Sequence, residues 1–458
     1  MFPRDRSGGG VQIRAEDRVG APWWTPGWWA QDARWLALAA PALIFAGHAL
    51  YGAMLPKTAL TLALLGALLL GACLATPKLR RELGRIRDLT LPAALFGVVV
   101  LVALWSMTPF VPSGPHPVWA YVGIAPGAAT LDKSQTLLEL IKLLGLACLF
   151  GVGLAAGASD ERARLTVNVI LVLGAAIALW SFLTFAGGRL GPSVNRLGGT
   201  FAGPNTAATL FGTLLLMTVG AGVSRARSAP VRRRFSSTAP LAGAALLLAV
   251  SLLATASRGG FAAAASGLLA FGALQVFSGR TKLSRASIAA VFALVAGAVL
   301  LAFAGEVLIA RLMGRGWELD SRREVFEAHW QAFKGAPWLG HGLGSFDTLN
   351  RLLLDARNAA DIWNVRAAHN VYLSWLEQGG LLAAIPMFAA IGCVVVLATR
   401  NALRRTRMTA VLFGLLAADL VVLVHGLTDF ALETYSMAAF WSLLLGLQFS
   451  AGQGSSRR

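Results

Sequence analysis

Charged residues are scarce in this chain, and acidic residues are the scarcest. Of its 458 residues only 14% are charged, with 40 Lys and Arg against 22 Asp and Glu, whereas 56% are hydrophobic. A soluble domain has about a quarter charged residues, so this chain has too few to cover a surface in water. The composition excludes a single soluble enzyme domain and predicts a membrane protein.

Cysteine is rare, and metal-binding patterns are missing from the sequence. Cys73, Cys148 and Cys393 all fall in apolar runs, so no disulfide framework is indicated and small buried side chains are expected. The six histidines show no metal-ligand spacing, and the sequence contains neither an Asp-x-Asp pair nor a Gly-x-x-x-x-Gly-Lys phosphate loop. We therefore expect no metal, no cofactor and no ATP-driven pump.

Apolar runs of membrane-spanning length are the dominant pattern. A spanning helix needs about 20 mainly apolar residues, and twelve such helices would use about 240 positions. The predicted fold class is all-α, a polytopic membrane protein with about 12 transmembrane helices and one long periplasmic loop that contains short amphipathic helices. The predicted spans are 35–54, 58–76, 89–107, 137–157, 165–186, 205–223, 240–256, 261–278, 287–305, 379–399, 409–427 and 437–451.

The distribution of Lys and Arg predicts how these spans are oriented. With a cytoplasmic N-terminus, the inner segments hold 26 of the 40 basic residues, and the short outer loops hold only Lys57, Lys133, Arg189, Arg196 and Arg258. This is the positive-inside asymmetry of a bacterial inner-membrane protein with both termini in the cytoplasm. The positive charge thus fixes topology, and no nucleic-acid partner is expected.

The chain divides into five predicted segments. Residues 1–34 form a cytoplasmic or interfacial tail, 35–305 hold transmembrane helices 1–9, and 306–378 form a periplasmic helical subdomain. Residues 379–451 hold helices 10–12, and 452–458 are a cytoplasmic tail.

The periplasmic segment has its own helix signals. Ser321-Arg322-Arg323-Glu324 fits a capping box and predicts a helix that begins there and ends at Gly335, with His329 as an interfacial residue. A second helix is predicted over 347–359. A third is expected to begin near His369 and to run into the next span, with a break at Gly379-Gly380.

Two arginines stand in short outer loops, where the charge rule disfavours them. Arg196 lies in a glycine-containing loop and either binds an anion or snorkels to lipid headgroups, while Asn205 with Thr206 is predicted to cap the following helix. Arg258, in the tight turn Ser257-Arg258-Gly259-Gly260, needs a partner, which is either a phosphate or an acidic residue of another outer loop such as Asp429 or Glu433.

A polar stripe is predicted near His369. On a helix, His369, Asn370, Ser374 and Glu377 would share one arc. Neutral imidazole accepts a proton from a hydroxyl, so His369 is a candidate general base, although an ordinary surface histidine is the alternative. Glu377 is too distant along a helix to orient it, so any carboxylate partner must come from elsewhere. Together with the two arginines, this favours transfer of a sugar from a polyprenyl-diphosphate carrier to an alcohol.

The same residues resemble the O-antigen ligase and O-antigen polymerase superfamily of bacterial inner-membrane glycosyltransferases. The resemblance covers roughly 190–430. Its motifs are Arg196 with Gly199-Thr200-Phe201 and Pro204-Asn205, Ser257-Arg258-Gly259, Pro337-Trp338-Leu339-Gly340 with Gly342 to Phe346, and His369-Asn370 with Tyr372-Leu373, Glu377 and Gly379. Gly203 stands where that family often has Asn before Pro-Asn.

The resemblance implies a metal-independent, inverting transferase. It would move a glycan from undecaprenyl diphosphate to an acceptor, either lipid A core or another glycan, at the periplasmic face of the lipid bilayer. His369, Arg258 and Arg196 would be catalytic. The implied substrate-binding residues are Arg189, Asn205, Asn370, Tyr372, Glu377 and His341, although a backbone-bonded role for His341 competes. Alternatives are a polymerase of O-antigen, capsule or exopolysaccharide, an enzyme that glycosylates a serine or threonine of a pilin, and a non-enzymatic transporter or flippase.

Two charged residues interrupt predicted spans. Lys142 lies in the fourth span and Asp419 in the eleventh, and each is costly in lipid. We interpret them as a structural ion pair with each other.

Overall fold

The structure is a computed structural model that describes residues 33–188, 196–279 and 316–454. Within these ranges the regular elements are all helical, as predicted. The α-helices are α1 Arg34–Ala49, α2 Pro56–Ala75, α3 Pro77–Leu83, α4 Thr90–Ser106, α5 Val118–Tyr121, α6 Lys133–Gly157, α7 Asp160–Ala186, α8 Pro204–Ser228, α9 Arg234–Ala254, α10 Arg258–Phe277, α11 Gly316–Gly335, α12 Phe346–Leu352, α13 Ala359–Ile362, α14 Val371–Arg404, α15 Thr409–His425 and α16 Tyr435–Gly452. Short 3-10 turns occur at Tyr51–Ala53, Val231–Arg233 and Ala431–Glu433.

Each predicted span coincides with one of these helices, apart from 287–305, which lies outside the described residues. Among the described helices, seven are long and apolar enough to cross a membrane: α2, α6, α7, α8, the stretch Val231–Ala254 that contains α9, α10 and α14. The apolar helices α4 and α15 are shorter. The chain is therefore an all-α polytopic membrane protein.

Glycines allow the central helices to pack backbone against backbone. An added Cβ at Gly446 of α16 would lie 2.1 Å from the carbonyl oxygen of Phe150 in α6, and one at Gly153 would lie 2.2 Å from that of Leu443. Small residues at helix contacts are how membrane helices gain close packing without a hydrophobic driving force. The pair α6 and α16 therefore forms a tightly packed centre of the bundle.

Segments predicted on the same side of the membrane meet at the same end of the bundle. At the predicted inner end, Arg162 pairs with Glu82 at 2.5 Å, and its side chain is fully buried. Further contacts at this end join Arg34 to Glu161, Arg405 to Asp160, and the Arg87 amide to Gln453.

The predicted ion pair between Lys142 and Asp419 is wrong. The Lys142 ammonium contacts Glu139 at 2.6 Å, one helical turn away. The buried Asp419 carboxylate accepts hydrogen bonds from Trp441 at 2.9 Å and from Gln448 at 2.5 Å, both in α16. Each charge thus has polar partners close to its own depth, which offsets the cost of burial without a mutual pair.

In its described part, from Gly316 onward, the segment before the tenth span contains α11, α12 and α13, with bounds that differ from the prediction. α11 is already helical at Gly316, the first described residue of this range, so the expected capping box at Ser321 is not the helix start, although the predicted end at Gly335 is confirmed. The predicted helix over 347–359 is shorter, since α12 ends at Leu352 and a loop precedes α13. Helix α14 runs into the span as predicted, with a break at Gly380, where φ is 59° and ψ is −177°.

The glycine-rich turn 340–346 packs into this break in α14. The amides of His341 and Gly342 donate to the carbonyls of Glu377 and Gln378, both at 2.9 Å. A Cβ at Gly380 would lie 2.3 Å from the Trp338 carbonyl oxygen. The turn therefore satisfies backbone groups that the helix break leaves open, and it fixes the residues around Glu377.

Candidate functional site

Four outer loops meet at one end of the bundle. They contain Arg196, the 255–260 turn, His369, and the segment 425–433. Backbone hydrogen bonds hold them together: the Leu197 amide donates to Ala254 at 2.9 Å, and the Val371 amide donates to Gly426 at 2.9 Å. The structure therefore brings together Arg196, Arg258 and His369, which lie far apart in sequence.

His369 precedes helix α14 instead of starting the predicted polar stripe. Its φ is 52°, a left-handed conformation that non-glycine residues adopt rarely. Its side chain is 34% exposed, while its Nδ1 atom is buried and lies 4.0 Å from Oδ1 of Asp429. The ring contacts Phe430 edge-on at 4.9 Å. Because Nδ1 faces inward, the accessible part of the ring can face a substrate.

Asp429 is the carboxylate partner that had to come from elsewhere in the chain. The side chain is 1% exposed, and its Oδ2 accepts no hydrogen bond within the described residues. A distance of 4.0 Å is too long for a hydrogen bond, but such pairs often tighten when substrate binds. The sequence offered Asp429 as a possible partner of Arg258 but did not pair it with His369, because it lies 60 positions away on another helix connection.

Arg196 and Asn205 connect Asp429 to the neighbouring loops. The Asn205 amide nitrogen donates to Asp429 at 3.2 Å, and its amide oxygen accepts from Arg196 at 3.0 Å. Arg196 also donates to the carbonyls of Thr255 at 2.9 Å and Ala256 at 3.3 Å. Arg196 therefore stabilises the turn that precedes Arg258. The expected capping by Asn205 is wrong, because the N-cap of α8 is Gly203 and Asn205 instead bonds across loops.

The Ser257 hydroxyl caps α10 and fixes Arg258 as the first residue of that helix. The hydroxyl accepts from the Gly260 amide at 3.2 Å. It also lies 3.4 Å from His425, a buried histidine whose other ring nitrogen contacts Thr209 at 2.7 Å. Arg258 is partly exposed at the helix N-terminus. The positive end of the helix dipole and the Arg258 guanidinium group therefore lie at the same end of α10, an arrangement that suits an anionic ligand.

Asn370 and Tyr372 hold the start of α14. Asn370 is its N-cap and accepts from the amides of Tyr372 at 3.0 Å and Leu373 at 3.1 Å. The Tyr372 hydroxyl donates to the Leu423 carbonyl at 2.8 Å. Both residues lie beside His369 and fix its position; the substrate contact that the family resemblance implies for them stays a prediction.

Glu377 and His341 lie in a second, buried cluster. Glu377 pairs with His329 at 2.8 Å, and both side chains are fully buried, so the interfacial placement expected for His329 is wrong. The other ring nitrogen of His329 contacts Asn350 at 3.0 Å. His341 contacts the Ala332 carbonyl at 3.1 Å, which agrees with its backbone-bonded alternative. Arg189 lies outside the described residues.

Glu433 lies between the two clusters. It accepts a hydrogen bond from Ser374 at 2.7 Å. Although the residue is exposed, the surrounding protein desolvates its carboxylate, and this raises its pKa to about 7; the negative charges of Glu139, Asp429 and Glu377 add to the shift. Within the described part of the chain, no three His, Cys, Asp or Glu side chains are placed to bind a metal ion.

These positions define what the outer end can do chemically. A histidine with one accessible face and a carboxylate behind it can accept a proton from a hydroxyl group. Arg258 at a helix N-terminus can stabilise a developing negative charge, with Arg196 holding its turn in place.

Comparison with known protein families gives a match that covers part of the chain. Residues 243–388, about a third of the chain, match the model of the family described as O-antigen ligase. The match includes Arg258 and His369 but ends before Asp429 and begins after Arg196. No curated protein matches the chain. The match confirms the resemblance predicted from the sequence: this chain is similar to the O-antigen ligase superfamily, whose members are ligase- and polymerase-type glycosyltransferases.

Proposed function

We propose that the protein is an O-antigen ligase-like membrane glycosyltransferase. It transfers a glycan from undecaprenyl diphosphate to an acceptor hydroxyl, on lipid A core or a similar saccharide, at the periplasmic face of the bacterial inner membrane. The reaction proceeds without a metal ion and inverts the anomeric configuration. The observation that carries this proposal is the placement of His369 against Asp429 beside the Arg258 turn.

The proton is handled by His369. The acceptor hydroxyl donates its proton to Nε2 of His369 while its oxygen forms a bond to the anomeric carbon. Asp429 faces Nδ1, where it favours the tautomer with the proton on Nδ1 and stabilises the imidazolium that forms. General-base catalysis of this kind contributes roughly 10²- to 10⁴-fold in rate.

The leaving group is handled by Arg258. As the new bond forms, the bond from the anomeric carbon to the diphosphate oxygen breaks, and that oxygen takes the electron pair. The Arg258 guanidinium at the start of α10 stabilises this charge, and Arg196 supports the turn through the Thr255 and Ala256 carbonyls. A direct contact from Arg196 to the diphosphate is part of the same proposal.

Two alternatives have distinct signatures. A polymerase would use the same residues on a glycan acceptor, and its deletion would leave lipopolysaccharide with core plus one repeat, whereas a ligase deletion removes every long-chain band. Loss of a capsule or exopolysaccharide polymerase would leave the ladder unchanged. A transporter or flippase would show no transfer by purified protein in detergent.

The decisive experiment is substitution of His369. His369→Ala, expressed in the deletion strain, should reach the membrane at the wild-type level and yet fail to restore long-chain glycan on a lipopolysaccharide gel. Membrane amount is measured by immunoblot of the same cells. Restoration of the wild-type ladder by this variant would rule out His369 as the base and remove the basis of the proposed mechanism.

A further inference from the structure

A surface pocket is lined in part by residues 363–366, which end three positions before His369 in the chain. Its rim carries Trp363, Asn364 and Arg366 on one side and Asp347 and Arg351 of α12 on the other. Trp363 is 66% exposed, so a large aromatic face is open to solvent. Nothing in the proposed transfer step uses these residues.

The charges of the pocket favour an anionic ligand. Asp347 lies 3.4 Å from Arg366 and 3.9 Å from Arg351, so one carboxylate is shared by two guanidinium groups. The side chains of both arginines remain more than two-thirds exposed. The three groups carry a net charge of +1, and the planar guanidinium donors suit a phosphate or carboxylate.

A buried network holds the pocket in shape. The Asn350 amide nitrogen donates to the carbonyls of Ile362 at 2.8 Å and Val365 at 3.2 Å, and its oxygen faces His329 at 3.0 Å. His329 in turn is bound to Glu377 of α14. The loop that carries Trp363 and Arg366 is thus fixed to α12, α11 and α14, which limits the ordering cost of binding.

The pocket lies within reach of the proposed base. Three residues of extended chain span at most about 11 Å, so Arg366 is no farther than that from His369 along the backbone. Ala367 and Ala368 between them are buried, so this short connection packs against the protein. An acceptor whose hydroxyl lies at His369 would therefore place a neighbouring sugar near the pocket.

We propose that this pocket binds an anionic saccharide, a phosphorylated or carboxylated sugar of the acceptor, with the sugar face against Trp363 and the anion on Arg351 and Arg366. The proposal rests on the proposed glycosyl transfer. An aromatic face presents an apolar surface to the C–H groups of a sugar ring. The Asp347 carboxylate can accept hydrogen bonds from the sugar hydroxyls, and the Asn364 amide can both donate to them and accept from them. Binding at such a site selects the acceptor without taking part in the chemical step.

The test is direct binding to the full-length protein in detergent. Saturation-transfer NMR is recorded with glucose 6-phosphate, glucuronic acid, glucose and glycerol 3-phosphate as probes. We expect signals from the ring protons of one or both anionic sugars, with the stronger of the two identifying the acid group. Arg366→Gln should weaken binding about tenfold, the loss typical of one charge-assisted contact, and Trp363→Ala should weaken it because the sugar ring loses the apolar surface on which it packs. Trp363→Phe should bind better than Trp363→Ala.

The controls separate this proposal from the proposed function. Arg357→Gln removes an exposed arginine of the same segment outside the pocket and should leave binding unchanged. His369→Ala should also bind the sugar normally, because it removes only the base. Equal binding of glycerol 3-phosphate would indicate a lipid headgroup site and overturn the proposal, as would sugar binding that survives Arg366→Gln and Trp363→Ala. A failure of the transfer mechanism would instead appear as activity of His369→Ala.

Discussion

Two histidines of the outer region, each beside a carboxylate, differ in almost every other respect. His329 is fully buried, contacts Glu377 at 2.8 Å and Asn350 at 3.0 Å, and stacks on Phe346 at 4.4 Å. His369 is one-third exposed, lies 4.0 Å from its carboxylate, and adopts a left-handed backbone conformation.

The difference separates a structural histidine from a reactive one. Both ring nitrogens of His329 are engaged, so a proton transfer there would break a buried hydrogen bond and leave a polar group without a partner. The His369 ring has one accessible face, and the Asp429 carboxylate lies on its buried side. Backbone strain and incomplete bonding are tolerated at functional sites because the surrounding structure compensates for them. We therefore assign chemistry to His369 and loop positioning to His329.

After removal of His369 itself, the largest effect is expected from Asp429→Asn. The amide keeps the shape but removes the charge that stabilises the His369 imidazolium, so the transfer rate should fall about 100-fold or more. The rate is measured with purified protein in detergent. The double variant with His369→Ala should be no slower than His369→Ala alone, because both residues act in one step. Additive losses in the double variant would contradict the coupling of these two residues.

The structural role of His329 is tested by His329→Ala. Removal of this ring leaves Glu377 and Asn350 buried without their partner, which should cost about 3 kcal/mol of folding stability. The measurement is thermal unfolding in detergent, with limited proteolysis to detect opening of the loop before His369. His369→Ala should lower the unfolding midpoint by less than His329→Ala does, because the His369 ring is one-third exposed and its buried Nδ1 makes no hydrogen bond to the described part of the chain that the change would break. A stable, protease-resistant His329→Ala would argue against the positioning role.

The spans could be predicted from the sequence because each depends on a local property. About 20 apolar residues in a row favour a membrane-spanning helix, and eleven of the twelve predicted runs coincide with a helix in the described part of the chain. The break at Gly380 was also predictable, since two adjacent glycines in a helical segment mark a weak point.

Pairings between distant segments could not be predicted in the same way. Asp429 meets His369, and Asn205 joins Asp429 to Arg196, only because four loops converge at one end of the bundle. The assumed pair of Lys142 with Asp419 failed for the same reason. Sequence gives the depth of a residue along one helix but not which helix faces it, so Gln448 of α16 could not be recognised as a partner of Asp419. Glu139, one turn from Lys142 in the same helix, was a partner that the spacing could have indicated.

Glu433 links the two histidine sites and gives the smallest predicted effect. Its pKa is raised from 4.5 to about 7, first by desolvation and further by the charges of Glu139, Asp429 and Glu377. Between these pH values the folded protein binds a proton that the unfolded chain has released, so this group's contribution to stability is lost as pH rises through 7. Thermal midpoints of wild type should therefore fall between pH 5 and pH 8 more steeply than those of Glu433→Gln.

The two curves should meet near pH 5, where Glu433 is protonated, and Glu433→Gln should be the more stable protein at pH 8. Glu324→Gln, an exposed carboxylate on α11, serves as the matched control and should follow the wild-type curve. Parallel curves for wild type and Glu433→Gln would mean that neither burial nor the carboxylates of the two histidine sites raise the Glu433 pKa in the folded protein. In that case the sites would be electrostatically independent, and the contrast between His369 and His329 would rest on geometry alone.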